Sequence, residues 1–371
     1  MTQINRRSWL KTLTTAGAGA VLLSPAEIIA AIPEANNPNL NGMVRLSSNE
    51  NPYSPSPAMK EAIAAIGPDL CRYPNSHFRT LEALIAEREG LDPSQVVVTS
   101  GSREGLKAVG QMYSMKGGEI VTCLPTYRAL IDYADFLGAK IRAVPLTKEL
   151  QFNLEGIGEA VNDDTQMIFV CNPNNPTGAL LDPSRLEAFC REWSPKVPVF
   201  VDEVYYDYIE EKGYPSMKPM VKEGRDIIIA RTFSKVYGLA GVRIGYMMAN
   251  ANIASKIRKT LQSGTNIMGV KLAMTALGDA DFYNFSLEKN REGKKLIYQA
   301  LNDLGLKHIR SHTNFVFFET GRNITEVQRA FKDEGVLVGR AFPPYLDWCR
   351  ISTGTIEEVE AFVKAAKRVF A

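Results

Sequence analysis

Short apolar runs that lack polar alternation recur through the middle of this 371-residue chain, and stretches with helical spacing separate them. Such runs occupy residues 95–99, 119–124, 141–146, 166–171, 197–201, 226–231 and 242–248. A strand with one face in water alternates apolar and polar residues, whereas a strand covered on both faces is apolar throughout. The pattern therefore predicts an α/β domain whose sheet is buried on both faces.

The pattern changes after a long helical stretch over residues 283–304. Beyond it, strand-like runs at 306–309, 314–319, 336–338 and 349–352 are interrupted by a helix at 325–334. Thr355 and Glu358 form a capping box for a last helix. We expect a smaller α+β unit there, with the long helix as the bridge to it.

Composition and charge exclude several classes of protein. The chain has 43 Lys and Arg against 41 Asp and Glu, and 45% of its residues are hydrophobic. These proportions exclude disordered and collagen-like chains, and a net charge of +2 gives no reason to expect nucleic acid or an anionic membrane as partner. The five cysteines show no C-x-x-C spacing, so neither a disulfide framework nor a metal site is predicted.

The first 31 residues carry the excess charge, with Arg6, Arg7 and Lys11 against Glu27. A basic start, a short apolar middle and small residues near Ala31 resemble a secretory signal peptide, and the paired arginines resemble the twin-arginine type. The apolar stretch is too short for a permanent membrane anchor. We expect the twin-arginine machinery to export the folded, cofactor-loaded protein to the periplasm or beyond. A basic helix of a cytoplasmic protein is the alternative.

The strongest chemical signal is the segment 231–235, RTFSK, which glycines and Arg243 follow. Lys235 ends an apolar strand in a turn that is rich in hydroxyl groups. A lysine held in such a pocket can have a lowered pKa and attack a carbonyl carbon to form a Schiff base. Thr232, Ser234 and Arg243 can hold a phosphate close to it.

Two further motifs follow apolar strands. Residues 172–178, NPNNPTG, form a strand-to-helix turn that conformational preference alone would explain. Asp202 lies at the carboxyl end of the run 199–201, where α/β sheets bind ligands. Because a buried carboxylate is costly unless it is paired, we expect a buried cationic partner for Asp202.

These three motifs, in this order and spacing, resemble those of the class I/II aminotransferases that use pyridoxal phosphate (PLP). The closest resemblance is to the histidinol-phosphate aminotransferase-like subfamily. It extends from about Leu46 to the C-terminus and includes the segments 48–53, SNENPY, and 350–352, RIS. It implies fold type I, with a large PLP-binding domain built on a mostly parallel seven-stranded sheet flanked by helices, and a smaller α+β domain.

The resemblance also implies a domain division and an activity. The signal peptide would cover 1–31, an N-terminal arm that packs on the small domain 32–70, the large domain 71–282, and the small domain 283–371. The activity would be transfer of an amino group from an amino acid or related amine to a 2-oxo acid by a ping-pong mechanism. The enzyme would be a homodimer with shared active sites.

Each residue around the cofactor ring receives a role from the resemblance. Lys235 would be the Schiff-base lysine and then the base that moves a proton between the substrate Cα and the cofactor C4′. Asp202 would keep the pyridinium nitrogen protonated. Asn175 and Tyr205 would hydrogen-bond the 3′ oxygen, and Tyr127 would stack on the ring face. Tyr205 thereby joins Lys235 and Asp202 as a catalytic residue.

The implied phosphate site lies at the start of a helix and in the lysine loop. Backbone N–H groups at the helix start would face the anion with the helix dipole behind them, and the loop would add side-chain donors. Tyr73 matches a tyrosine that family members present to the neighbouring subunit's phosphate, with a surface turn before Pro74 as the alternative. The other cofactor-phosphate residues are Gly101, Ser102, Arg103, Thr232, Ser234 and Arg243.

The substrate site follows from the same resemblance. Arg350 matches the arginine that grips the substrate's α-carboxylate in a bidentate fork, and a structural ion pair is the alternative. Asn49 and Tyr53 would line the substrate entrance, and Asn175 would also contact the substrate. Histidinol-phosphate enzymes usually place a second arginine, for the substrate phosphate, in a V-R-P-like segment. Here the segment 338–345 reads VGRAFPPY, which leaves the direction of Arg340 open and equally suits an aromatic or apolar substrate.

Export is the larger departure from the family pattern, because histidine biosynthesis is cytoplasmic. We therefore hypothesise that the enzyme uses another amino donor, aromatic or basic. A PLP-dependent decarboxylase or carbon–sulfur lyase of the same fold is the nearest rival to a transaminase. A non-catalytic PLP-binding module is a more remote one.

Overall fold

The computed structural model describes residues 42–115 and 117–371. The predicted signal peptide over 1–31, and the part of the predicted arm that precedes residue 42, lie outside the described residues. In the part of the chain that is described, none of the helices has the length and hydropathy that a membrane span requires.

The central sheet has seven strands. In chain order they follow a two-residue strand β1 (Val44–Arg45) and are β2 (Val96–Thr99), β3 (Glu119–Leu124), β4 (Lys140–Pro145), β5 (Thr165–Cys171), β6 (Val199–Asp202), β7 (Ile227–Thr232) and β8 (Gly245–Ala249). Their order across the sheet is β2-β8-β7-β6-β5-β3-β4. Strand β8 is antiparallel to both of its neighbours, and the other pairs are parallel. The predicted α/β fold with a mostly parallel seven-stranded sheet is confirmed.

The register of the sheet brings the carboxyl ends of several strands to one edge. Cys171, at the end of β5, lies opposite Asp202 at the end of β6. Gly245, at the start of β8, pairs with both Thr99 and Thr232. The loops that follow β2, β5, β6 and β7 therefore leave the sheet side by side, and they carry the predicted site residues Gly101, Asn175, Tyr205 and Lys235.

Helices flank the sheet and have local start signals that the sequence shows. Asp182 accepts a hydrogen bond from the N–H of Arg185 at the start of one helix, and Thr355 with Glu358 forms the predicted capping box. In chain order the helices are α1 (Pro57–Ala65), α2 (Asn75–Glu89), α3 (Ser102–Ser114), α4 (Ala129–Phe136), α5 (Leu154–Ala160), α6 (Pro183–Trp193), α7 (Lys218–Lys222), α8 (Ala251–Thr260), α9 (Ile267–Gly278), α10 (Ala280–Asp303), α11 (Ile324–Asp333) and α12 (Ile356–Val369).

A second apolar core is built from α10, α11, α12 and the strands β9 (Phe315–Glu319), β10 (Val336–Leu337) and β11 (Trp348–Ser352). Strands β9 and β11 are antiparallel, while β1 pairs with β10 in parallel. The described part of the predicted arm is divided between two cores. Leu46, next to β1, belongs to the second core, whereas Met59 of α1 belongs to the core around the central sheet.

Two predicted strands differ from the structure. Residues 306–309 form a single bridge, between His308 and Phe318, instead of a strand. The strand predicted over 242–248 begins only at Gly245, because Arg243 has a φ of 61° in the left-handed region, which interrupts extended backbone. Arg243 consequently belongs to the same loop as Lys235.

Replacing Gly245 with Ala should destabilise the protein by about 1–3 kcal/mol, because the new methyl group overpacks the sheet. A Cβ at this position would lie 2.6 Å from the backbone nitrogen of Ser102 and 3.0 Å from the carbonyl oxygen of Arg231. Urea unfolding measures the loss. Gly278→Ala is the control, because a Cβ there meets no atom within 4 Å. Equal losses in both variants would contradict the packing argument.

Candidate active site

Lys235 lies just beyond β7 and points its amine into a cluster of polar groups. Its Nζ donates a hydrogen bond to the carbonyl oxygen of Asn49 at 2.7 Å and lies 5.3 Å from the ring centroid of Tyr205. Burial, followed by the nearby charge of Arg350, lowers the pKa of Lys235 to about 8. A lysine with this pKa has an appreciable fraction of free amine near neutral pH, as a nucleophile requires.

Asp202 ends β6 with its side chain fully buried. Its Oδ1 accepts a hydrogen bond from the N–H of Val204 at 3.3 Å, whereas Oδ2 has no partner among the described residues. Burial raises the pKa of Asp202 to about 7. Within the described chain the expected cationic partner is found only as the nearby charge of Lys235, which lowers the pKa of Asp202 without a hydrogen bond, while the buried Arg231 pairs with Glu203 at 2.7 Å. The carboxylate is thus left with one oxygen free for a ligand.

Arg350 reaches the cluster from β11. Its Nη1 donates to Asn175 Oδ1 at 2.8 Å and its Nη2 donates to the Ser47 carbonyl oxygen at 3.0 Å, while Nε has no partner within the described residues. The guanidinium carbon lies 5.3 Å from the ring centroid of Phe315 and 5.0 Å from that of Phe342. Burial lowers the pKa of Arg350 to about 10. Its contacts are with neutral groups, which does not favour the alternative of a structural ion pair.

Asn49 joins these groups into one network. Its Nδ2 donates to the Tyr205 hydroxyl at 2.8 Å, and its Oδ1 accepts from the Ser352 hydroxyl at 2.6 Å. Burial raises the pKa of Tyr205, and the charge of Arg350 opposes this shift. Ser352 and Ser47 are contributors that sequence reasoning did not assign, although both lie within or beside the quoted segments 350–352 and 48–53.

A second group of predicted residues forms an anion-accepting corner at the start of α3. Gly101 has a φ of 79°, and a Cβ there would come within 2.8 Å of the guanidinium carbon of Arg243. Arg243 Nη1 donates to Ser234 Oγ at 3.4 Å, and the N–H of Ser234 donates to Thr232 Oγ1 at 3.1 Å. With Ser102 opening α3, backbone and side-chain donors converge here, which suits a phosphate.

Tyr127 and two arginines lie beside this corner. Burial raises the pKa of Tyr127, and the charge of Asp202 raises it further. Tyr127 also lines a cavity of about 400 Å³ together with the exposed arginines Arg103 and Arg340. The direction that the sequence left open for Arg340 is therefore into this cavity, which Arg128 also lines.

Two predicted site residues lie apart from the cluster. Tyr73 is 91% exposed at the surface. The ring of Tyr53 packs edge-on against Phe285 of α10, with centroids 5.2 Å apart, and its hydroxyl has no hydrogen-bond partner in the described part of the chain. The single chain therefore does not bring Tyr53 or Tyr73 into the contacts of Lys235, and their roles stay predictions.

Comparison with known proteins gives three findings. The family described as aminotransferase class I and II matches residues 41–365. The histidinol-phosphate aminotransferase of Moorella thermoacetica is 34% identical over 333 residues, which cover 89% of this chain and 86% of that protein. The structure of histidinol-phosphate aminotransferase from Sinorhizobium meliloti in complex with pyridoxal-5′-phosphate has a TM-score of 0.82 at 27% identity, over 88% of this chain and 90% of that chain.

A fourth comparison bears on the fold alone. L-threonine-O-3-phosphate decarboxylase from Porphyromonas gingivalis has a TM-score of 0.76 at 20% identity, over 88% of this chain and 99% of that chain. The shared architecture therefore does not by itself decide which substrate bond is broken.

Fold and site together define an enzyme of the α/β class in which a partly buried lysine lies with a buried carboxylate and a buried arginine in one polar cluster. The chain belongs to the class I and II aminotransferase family. The predicted activity, transamination with PLP, is confirmed at the level of this family. The described residues also fit the cofactor, because Asp202 has a free buried oxygen and the corner between Gly101 and Arg243 would accept a phosphate.

Replacing Asp202 with Asn should stabilise the cofactor-free protein but weaken PLP binding. The pKa of Asp202 rises from 3.8 to about 7 on folding, so its protonation stabilises the folded state at low pH and this contribution is lost as the pH rises towards 7. At pH 8 the variant should therefore melt at a higher temperature than the parent without cofactor, and the difference should shrink towards pH 4. With PLP added, the parent should melt higher. A variant that melts lower in both states contradicts this account.

Proposed function

We propose that the chain transfers amino groups with Lys235 as the residue that attaches PLP and then moves the proton. One observation carries the proposal: the Lys235 amine, the Asp202 carboxylate and the Arg350 guanidinium share one buried cluster, and the last two each keep a polar atom without a partner among the described residues. A lowered lysine pKa, a free carboxylate oxygen and a free guanidinium edge are what amine chemistry, ring-nitrogen binding and carboxylate binding require.

The residues of the cluster have complementary tasks. PLP, when bound, supplies an electron sink for negative charge at the substrate Cα. Asp202 holds a proton on the ring nitrogen through Oδ2, and Lys235 moves the proton between the substrate Cα and C4′. The 2.7 Å hydrogen bond to Asn49 orients the lysine amine. Arg350 binds the α-carboxylate through its free Nε edge.

The remaining contacts support the cofactor-binding roles. Because Asn49 donates to the Tyr205 oxygen, the Tyr205 hydroxyl proton remains available for the 3′ oxygen. Asn175 accepts from Arg350 through Oδ1, which leaves its amide N–H groups free for the same oxygen. Tyr127 would stack on the ring face, as the family resemblance implies. Gly101, Ser102, Arg103, Thr232, Ser234 and Arg243 would hold the phosphate.

Homodimer formation is part of the proposal. Tyr73 is 91% exposed, which supports a role at a neighbouring subunit's phosphate instead of at its own. Exposure of the Tyr73 ring to water is unfavourable. A subunit interface would bury the ring and give the hydroxyl a hydrogen-bond partner. Each active site would then be completed by the other subunit.

The donor side chain that the site favours is anionic. Arg103, Lys107, Arg128 and Arg340 line the cavity of about 400 Å³ beside Tyr127, against the single carboxylate of Asp132. Burial and then the charge of Arg128 lower the pKa of Arg340, so these cations disfavour one another. A distal phosphate or carboxylate would relieve this repulsion. The hypothesis of an aromatic or basic donor is therefore replaced by that of a donor whose side chain ends in a phosphate or a carboxylate, a class that includes the histidinol phosphate for which the relatives are named.

A donor screen on the purified enzyme tests this function. Its readout is the loss of PLP absorbance as the cofactor accepts the amino group. Histidinol phosphate should exceed histidinol, or glutamate exceed glutamine, by ten-fold or more in kcat/KM. Replacing Lys107 and Arg128 with Gln should remove about ten-fold of this preference, roughly 1.4 kcal/mol. The matched control replaces Lys196, which lies over Trp193, and Arg191, which pairs with Glu187, with Gln.

Three outcomes of the screen would contradict the proposal. Release of carbon dioxide, or of ammonia with a thiol, instead of cofactor amination would favour the decarboxylase or lyase alternative. A clear preference for uncharged donors would refute the anionic end. An equal change in the pocket variant and in the surface control would refute the assignment of that end to the cation-lined cavity.

We propose, in addition, that residues 1–31 direct export through the twin-arginine machinery. The paired Arg6 and Arg7 and the small residues near Ala31 support this assignment. In a bacterial host with this machinery, Arg6→Lys with Arg7→Lys should keep the enzyme in the cytoplasm, whereas the control Lys11→Gln should be exported. Cell fractionation with activity assays measures the distribution. Equal periplasmic activity of both variants would contradict the proposal.

A further inference from the structure

A buried ion pair lies next to the candidate active site and has no part in the roles assigned above. Arg231 and Glu203 are 5% and 3% exposed, and Arg231 Nε and Nη2 both donate to Glu203 Oε2, at 3.0 and 2.7 Å. Glu203 also accepts from Ser216 Oγ at 2.7 Å and from the N–H of Met217 at 2.9 Å. The Arg231 guanidinium carbon lies 3.9 Å from the ring centroid of Tyr206. Both carboxylate oxygens of Glu203, and the Nε and Nη2 groups of Arg231, thus have hydrogen-bond partners.

Each member of this cluster lies within four residues of a predicted site residue in the sequence. The pairs are Glu203 with Asp202, Tyr206 with Tyr205, and Arg231 with Lys235 four residues further on. The backbone N–H of Glu203 also donates to the carbonyl oxygen of Ala230 at 3.1 Å, which continues the contact of β6 with β7. A change in the ion pair would therefore move the ends of both strands, and with them the groups that must meet the cofactor.

The pair also acts on the charge of Asp202. Burial is the main cause of the raised pKa of Asp202, and the charge of Glu203 raises it further. The titratable groups that face Asp202 are Lys235, Glu203, Tyr127 and Cys171. Because Arg231 neutralises Glu203 at contact distance, it limits the repulsion that Asp202 experiences.

We propose that Glu203, Tyr206 and Arg231 form a positioning unit, which fixes the spacing of Asp202, Tyr205 and Lys235. The inference rests on the proposed function of those three residues. The unit acts through its chain neighbours, and the chemistry itself stays with Lys235. Reacting groups must be held close to the productive geometry, and displacements of about 1 Å can cost 100-fold in rate.

Three variants of the PLP-loaded enzyme test the proposal. Glu203→Gln removes one charge, and Glu203→Gln with Arg231→Met removes both, which avoids an unpaired buried cation. Glu119→Gln is the matched control. Glu119 is also buried, accepts from Arg142 Nε at 2.7 Å and from Asn162 Nδ2 at 2.8 Å, and adjoins no predicted site residue in the chain.

The expected results separate position from charge. In Glu203→Gln, the rate of cofactor amination by a saturating donor should fall about ten-fold or more. The pH at which PLP affinity is half-maximal should move lower, because removal of the Glu203 charge lowers the pKa of Asp202. In the double variant this midpoint should return towards the parent value while the rate stays low. Glu119→Gln should lower the melting temperature but keep the parent rate and midpoint.

Two results would overturn the positioning unit. One is a Glu203→Gln enzyme that differs from the parent only in melting temperature, as the control does. The other is a double variant with the full parent rate. If the Glu203→Gln protein does not fold, the rate of the double variant tests the proposal: a low rate supports the positioning unit, and the full parent rate refutes it. A parent enzyme that neither binds PLP nor accepts an amino group would instead refute the proposed function, so the two failures are distinguishable.

Discussion

The carboxylate of Asp202, buried with one oxygen that has no partner among the described residues, is the constraint on which the rest of the site depends. Burying a charged group without a partner is unfavourable, and this group lies at the end of β6, opposite Cys171 of β5. The raised pKa of Asp202 expresses that cost. A ligand with a protonated ring nitrogen would remove it, which couples cofactor binding to the stability of the fold.

The surrounding structure can be understood as support for this carboxylate. Parallel strands on either side hold it at the sheet edge, and β7 delivers Lys235 to the same edge. The second core contributes Arg350, so the cluster needs both cores to be in place. Stability and function are therefore linked through a small number of buried polar groups, as is common where pKa values are shifted.

Much of the fold and part of the site could be predicted from the sequence because they follow local rules. Unbroken apolar runs specify strands buried on both faces, and the residues after such strands must lie at the ligand-binding edge. Lys235 and Asp202 could be predicted in this way. The capping box at Thr355 and the N-cap at Asp182 were accessible for the same reason, since a cap involves residues within three positions of each other.

Contacts between distant parts of the chain could not be predicted from the sequence. The hydrogen bond from Lys235 to Asn49 spans 186 residues and that from Arg350 to Ser47 spans 303, and no periodicity encodes such pairs. The sequence indicated a cation for Asp202 but could not show that Arg231 pairs with Glu203 instead. The left-handed backbone of Arg243, which delays the start of the strand predicted at 242–248 to Gly245, depends on tertiary context in the same way.

The most direct test of the central claim is to reduce the PLP-loaded enzyme with borohydride and locate the attached cofactor by peptide mass spectrometry. The account predicts stoichiometric label on the peptide that contains Lys235, and loss of the label when a saturating amino donor is added before reduction. Label on another lysine, or label on Lys235 that no donor removes, would contradict it.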